Sequence, residues 1–127
     1  MSKIIIRRKC VPRAVDPPKQ QLESPIVYEC LKWLLDHGYF VWRNSVGCCK
    51  VGRRWLRFGL KGSSDILGVT PKGKLIACEV KTLTGRLRPE QKAFLDRVKV
   101  NSGLAIVARS VDDLEAQIRT YENQNSN

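Results

Sequence analysis

Asp65, Glu79 and Lys81 are three charged residues set within two apolar, strand-like runs, GSSDILGV and KLIACEVK, joined by the short segment Thr70-Pro71-Lys72-Gly73. Pro71 presets φ for the first turn position, and Gly73 can adopt the left-handed conformation, so the spacing predicts a three-residue hairpin loop with a bulge. In that register Thr70 faces Lys74, Val69 faces Leu75, Leu67 faces Ala77 and Asp65 faces Glu79. Opposed residues share a face, as do residues two apart on one strand. Asp65, Glu79 and Lys81 therefore converge on one side of the sheet, and Val80 points to the other. A two-residue loop would shift the register by one and separate the carboxylates.

Two carboxylates about 5 Å apart repel each other. A divalent cation resolves that repulsion. Mg²⁺ takes oxygen ligands, keeps several waters, and uses one or two carboxylates together with substrate phosphate. Beside such a site Lys81 could orient or deprotonate a water, or stabilise charge on a phosphate under attack. Glu-x-Lys alone also fits an ordinary strand salt bridge between Glu79 and Lys81; the Asp65 register and the apolar surroundings favour the metal reading.

The elements that must position these residues follow from periodicity. Leu22 to His37 reads as a helix, with Ile26, Cys30, Trp33 and Leu34 at helical spacing, Ser24 as its cap and Gly38 as its stop. Glu23 lies at its amino-terminal end, where the helix dipole favours a carboxylate, and Glu29 reads as solvated. His37 is a helix-end residue. Tyr39 to Arg43 is a strand by its aromatic and β-branched content. From Arg43 to Lys74 there are eight basic residues against Asp65 alone, with Trp55 and Phe58 interleaved and many glycines, which predicts basic loops and bends. Such loops suit phosphate contacts and base stacking, while the two aromatics could equally anchor a long loop to the core.

After the hairpin, Thr82 to Arg88 reads as a loop, and Pro89 opens a helix through about Val100 with Phe94, Leu95 and Val98 inward. Arg86, Arg88 and Lys92 near its start are candidate phosphate contacts. Leu104 to Ala108 is a strand whose continuous apolar run requires cover on both faces. Ser110 and Asp113 cap a last helix to about Tyr121, with Leu114 and Ile118 inward. The order is helix, three strands, helix, strand, helix. This predicts an α/β fold with one mixed β-sheet flanked by helices on both faces.

The whole chain has 127 residues and a net charge of +11, which suits one domain with an acidic polymer as partner. No apolar run approaches a membrane span, and no signal-like apolar block opens the chain, so an intracellular, cytoplasmic protein is expected. Cys10, Cys30, Cys48, Cys49 and Cys78 are odd in number and lack C-x-x-C spacing; Cys30 and Cys78 read as core residues in a reducing setting. Residues 1–20 are basic and interrupted by proline, which predicts an arm or an edge strand at Ile4–Ile6. Residues 122–127 read as a polar tail.

The ordered set of Glu23-Ser24, Trp42-Arg43-Asn44, Gly62-Ser63-Ser64-Asp65, Glu79-Val80-Lys81, Gly85-Arg86-Leu87 and Pro89-Glu90-Gln91 resembles the VRR-Nuc (virus-type replication-repair nuclease) family of the PD-(D/E)xK nucleases, over residues 21–119. Ser64 stands where that family usually has Pro, and Arg88 where a Ser-like cap is common. The resemblance implies a restriction-endonuclease-like core in αβββαβα order and a Mg²⁺- or Mn²⁺-dependent DNA endonuclease. It further implies branched DNA as substrate, as for a Holliday-junction resolvase, a homodimer, and a phage or prophage origin. Flap, nicking or restriction-type nucleases share the chemistry, and a non-catalytic DNA-binding module would share the charge. On this resemblance Asp65, Glu79 and the Val80 carbonyl hold metal, Lys81 positions the attacking water, and Glu23 and Gln91 complete the catalytic set. Arg43, Asn44, Lys50, Arg53, Arg54, Arg57, Lys61, Arg86, Arg88 and Lys92 are then the expected DNA contacts.

Overall fold

A computed structural model describes residues 22–126; the expected basic arm and Cys10 lie outside the described residues. The chain forms α1 (Glu23–Asp36), β1 (Phe40–Arg43), β2 (Gly47–Val51), β3 (Arg54–Phe58), β4 (Ile66–Val69), β5 (Leu75–Val80), α2 (Pro89–Val100), β6 (Leu104–Ala108) and α3 (Val111–Gln124). A four-stranded sheet runs in the order β1-β4-β5-β6. Its first two pairings are antiparallel, and β5 and β6 are parallel across the α2 crossover.

The central hairpin adopts the register that the turn predicts. Val69 pairs with Leu75 and Leu67 with Ala77. The Thr70 N–H donates to the Lys74 carbonyl at 2.7 Å, and Gly73 takes φ +85°. Side chains then alternate between two cores. Ile76, Cys78 and Val80 pack with Ile26, Leu34, Leu114 and Ile118 beneath α1 and α3. Ala77 lies on the opposite face under Leu95 and Val98 of α2. Strand β6 feeds both cores, Ile106 to the first and Val107 to the second, as its unbroken apolar run requires. Cys30 and Cys78 are buried free thiols, and burial pushes the Cys30 thiol up to about 11.

The glycine-rich stretch after β1 differs from the loop expected of it. Gly47–Val51 and Arg54–Phe58 pair as a separate two-stranded hairpin, which adds two strands to the expected order. The two-residue turn between them opens on Gly52 at φ +62°, the geometry of a type II′ turn, whose twist matches that of the strands. The signal was Gly-Arg between two short runs rich in strand formers; dense charge obscured it. Helix α1 also begins one residue before Ser24: Leu22 is the cap residue, no side chain caps the end, and Pro25 falls in the first turn, where its missing N–H costs nothing. Helix α3 is capped by the Ser110 hydroxyl, which accepts from the Asp113 N–H at 3.0 Å, and it continues to Gln124. Among the described residues no helix is long and apolar enough to cross a membrane.

Candidate active site

Asp65 directly precedes β4, and Glu79 lies one residue from the end of β5. The pairing of Ile66 with Cys78 carries on outward to set the two carboxylates opposite each other, on the face covered by α2. Backbone and side-chain bonds fix them there. One Asp65 oxygen, Oδ2, accepts from the Val80 N–H at 2.8 Å. Glu79 is 2% exposed, and its Oε2 accepts from the Gln91 Nε2 amide at 3.0 Å. Gln91 stands in the first turn of α2, and its own Oε1 accepts from the Arg88 N–H at 2.9 Å, which holds the amide nitrogen toward Glu79. Gln91 thus reaches Glu79 because Pro89 starts α2 beside the end of the central strand β5.

Lys81 is buried, with Nζ 3.7 Å from Glu79 Oε2 and 3.9 Å from Glu23 Oε2. Glu23 therefore meets the cluster through Lys81. The other Glu79 oxygen, Oε1, is buried with no hydrogen-bond partner. Burial, and then the neighbouring Asp65 charge, push the Glu79 carboxyl up to about 8, against a smaller opposing pull from Lys81.

This donor set suits a hard divalent cation. It offers two adjacent carboxylates, one with a buried oxygen that lacks a donor, and it opens into solvent where water and phosphate could supply further oxygens. Among the described residues no three His, Cys, Asp or Glu gather around a common point, so a closed structural site of zinc type is not formed there. Cys48 and Cys49 lie on adjacent positions of β2 and so point to opposite faces.

A cleft of about 460 Å³ leads to the carboxylates; Arg57, Lys61 and Arg88 stand on its wall, with Glu90 among them. Lys92, another expected DNA contact, is paired with Asp96 on the exposed face of α2 at 3.0 Å. Arg43 and Arg86 are exposed at the end of β1 and in the loop after Lys81, and Arg53 and Arg54 are exposed at the tip of the added hairpin. Asn44, also an expected DNA contact, is bonded within the chain. Its Nδ2 donates to the Ser63 hydroxyl at 2.7 Å and to the Ser64 carbonyl at 3.0 Å, and its backbone N–H donates to the Asp65 carbonyl at 2.7 Å. Asn44 thereby holds the loop that delivers Asp65. Ser64 beside it is fully buried, and its hydroxyl has no hydrogen-bond partner.

Sequence reading missed Arg109. Its Nη1 donates to the carbonyls of Thr82 at 2.5 Å and Gly85 at 2.7 Å, so it braces the loop that follows Lys81. A lone Arg after a buried strand carries no spacing signal, and only the return of β6 alongside β5 brings it there.

Fold and cluster together define a class: an α/β domain that presents two carboxylates and a lysine at the ends of its two central strands, under a basic cleft wall. Over residues 21–112 the chain matches the family model described as the VRR-NUC domain, and it belongs to that family. It is thus a nuclease-type domain, with DNA the implied substrate. Neither the curated proteins nor the solved structures contain a match to this chain.

Proposed function

We propose that the chain is a divalent-metal-dependent endonuclease that cuts branched DNA, with the four-way junction as its substrate and a homodimer as its working form. The observation that carries this reading is the half-buried Asp65 set against the buried Glu79, with Lys81 and Gln91 in contact with Glu79 and basic residues along the approach. Asp65, Glu79 and the Val80 carbonyl would hold Mg²⁺, with Mn²⁺ as a substitute. The bound ion would polarise the scissile phosphate and lower the pKa of water. Gln91 holds Glu79 Oε2 in place, and the Asp65 carboxylate is fixed by the Val80 N–H. Lys81 orients the attacking water, whose oxygen forms the new bond to phosphorus as the bond to the leaving sugar oxygen breaks. The water gives up one proton, and the leaving oxygen gains one. Glu23 acts on this step by setting the position of the Lys81 ammonium.

The test is cleavage of matched four-way junction, flap, duplex and single-stranded DNA with Mg²⁺, Mn²⁺ or Ca²⁺. Mg²⁺ and Mn²⁺ should support cutting, and the larger Ca²⁺ should support binding with little hydrolysis. Asp65→Ala and Lys81→Ala should each abolish cutting and leave DNA affinity nearly intact, because phosphate contacts elsewhere dominate affinity. Cutting by either variant, or by protein in EDTA, would refute the site. A preference for flaps over junctions would favour the related flap-nuclease reading with the same residues.

A further inference from the structure

The hairpin of β2 and β3 belongs to neither core, yet it carries Trp55, Leu56 and Phe58 half-exposed beside Lys50, Arg53, Arg54 and Arg57. No acidic residue lies between Arg43 and Asp65. Its register sorts these side chains. Cys48 opposes Arg57 and Lys50 opposes Trp55, so these four share one face, whereas Leu56 and Phe58 project from the other. Cys48 and Arg57 line the cleft that contains Asp65 and Glu79, together with Gly47 and Phe58 at the same end of the hairpin. Trp55 and Lys50 come two residues farther out, about 7 Å along the strands. The Lys50 Nζ lies 5.8 Å from the centre of the Trp55 ring, and Arg53 follows in the turn. Moving away from the carboxylates, one face therefore presents a guanidinium and then an aromatic plane with an ammonium over it, and the turn beyond adds a second guanidinium.

We propose that this face reads unpaired DNA: Arg57 and Lys50 take successive phosphates of a strand leaving the cleft, and Trp55 stacks on a base that has left its helix next to the cut. The inference rests on the nuclease reading above and adds how the substrate is chosen. In continuous duplex both faces of every base are occupied by its neighbours, so Trp55 could stack only after an unstacking that costs about a few kcal/mol per step. Where a base is already free, in a flap or at a branch point that has opened, stacking is gained without that loss and is worth about 1–3 kcal/mol per base. The cationic residues hold any DNA, and the aromatic one discriminates among shapes.

The experiment uses the full chain carrying Asp65→Ala, so that DNA stays intact, and measures binding to three DNAs of equal length. These are continuous duplex, duplex with a single-stranded branch, and the same branch with abasic residues at the unpaired positions beside the duplex. Adding Trp55→Ala should weaken binding to the normal branch about 5- to 150-fold, the equivalent of one lost stack, and change the other two by less than about twofold. Trp55→Phe should restore most of the loss. Arg57→Ala or Lys50→Ala should weaken all three DNAs alike and lower the slope of log affinity against log salt by about one. Equal weakening of all three DNAs by Trp55→Ala would mean that the ring only shapes the hairpin, and no weakening would mean that no base stacks; either result overturns the proposal. Cleavage by the wild-type chain is scored separately. A chain that cuts DNA yet shows no branch-specific Trp55 effect refutes this inference alone, whereas a chain that cuts nothing refutes the nuclease reading whatever Trp55 does.

Discussion

Glu79 has little access to water, faces a second carboxylate, and keeps one oxygen without a donor. Burial first, and then the Asp65 charge, disfavour its charged form and raise it from the ordinary 4.5 to about 8, against a smaller pull from Lys81. The consequence for stability has a definite sign. Between those two values the folded chain retains a proton that the unfolded chain releases, so stability of the metal-free protein falls as pH rises toward about 8. A divalent cation competes with that proton and reverses the trend. Melting temperature in EDTA should therefore drop between about pH 6 and pH 8.5, and Mg²⁺ should raise it more at the higher pH. Glu79→Gln should remove both effects. A Mg²⁺ shift equal at the two pH values would show that the ion binds elsewhere. Burial has the opposite use at Ser64, whose partnerless hydroxyl marks a site shaped by packing rather than by hydrogen bonding.

The elements around the site touch at points where no side chain has room. Gly62 sits at φ +88°, and a Cβ there would come 2.5 Å from the carbonyl oxygen of Glu90 in the first turn of α2. The loop carrying Asp65 and the helix carrying Gln91 are thereby locked together, with Asn44 holding the same loop from the β1 side. Gly62→Ala should cost at least about 1–3 kcal/mol through backbone strain, with the clash in addition. It should also lower the cleavage rate more than DNA affinity, since it moves the carboxylate and leaves the basic wall. Unchanged melting and cleavage in this variant would show that the close approach is dispensable.

At the scale of the whole molecule, α2 covers only half of its sheet face. On the other half Phe40 and Trp42 of β1 remain 69% and 47% exposed, with their rings edge to face at 5.8 Å. An uncovered aromatic strip of this kind suits association, and the homodimer proposed above, which paired cutting of a junction would require, would have its interface there. Self-repulsion at +11 per chain opposes association, so the strip must bury substantial apolar area. Trp42→Glu should convert dimer to monomer by light scattering in moderate salt and abolish paired incisions while a single nick persists. A wild-type monomer that still makes paired cuts would refute the assignment. Mixed dimers of wild-type and Asp65→Ala chains should nick one strand without completing resolution.

Local chemistry was legible in the sequence wherever a single turn decides it. Pro71 and Gly73 fix the hairpin loop, the loop fixes the register, and the register sets Asp65 opposite Glu79 with Val80 turned to the other core. Ser110 and Pro89 likewise mark the starts of α3 and α2, because a cap and a missing N–H act within one turn of chain. What the sequence could not determine is which polar groups meet across the fold. The sequence marks Asn44 only as a DNA contact, and it is the pairing of β1 with β4 that brings it against Ser63 and Ser64. Arg109 becomes a brace only when β6 lies parallel to β5. The faces of the added hairpin, and so the separation of Trp55 from Phe58, also depend on cross-strand pairing. Hydrogen bonds and stacking act over a few ångströms, so contacts between residues distant in sequence were decided only by the tertiary structure.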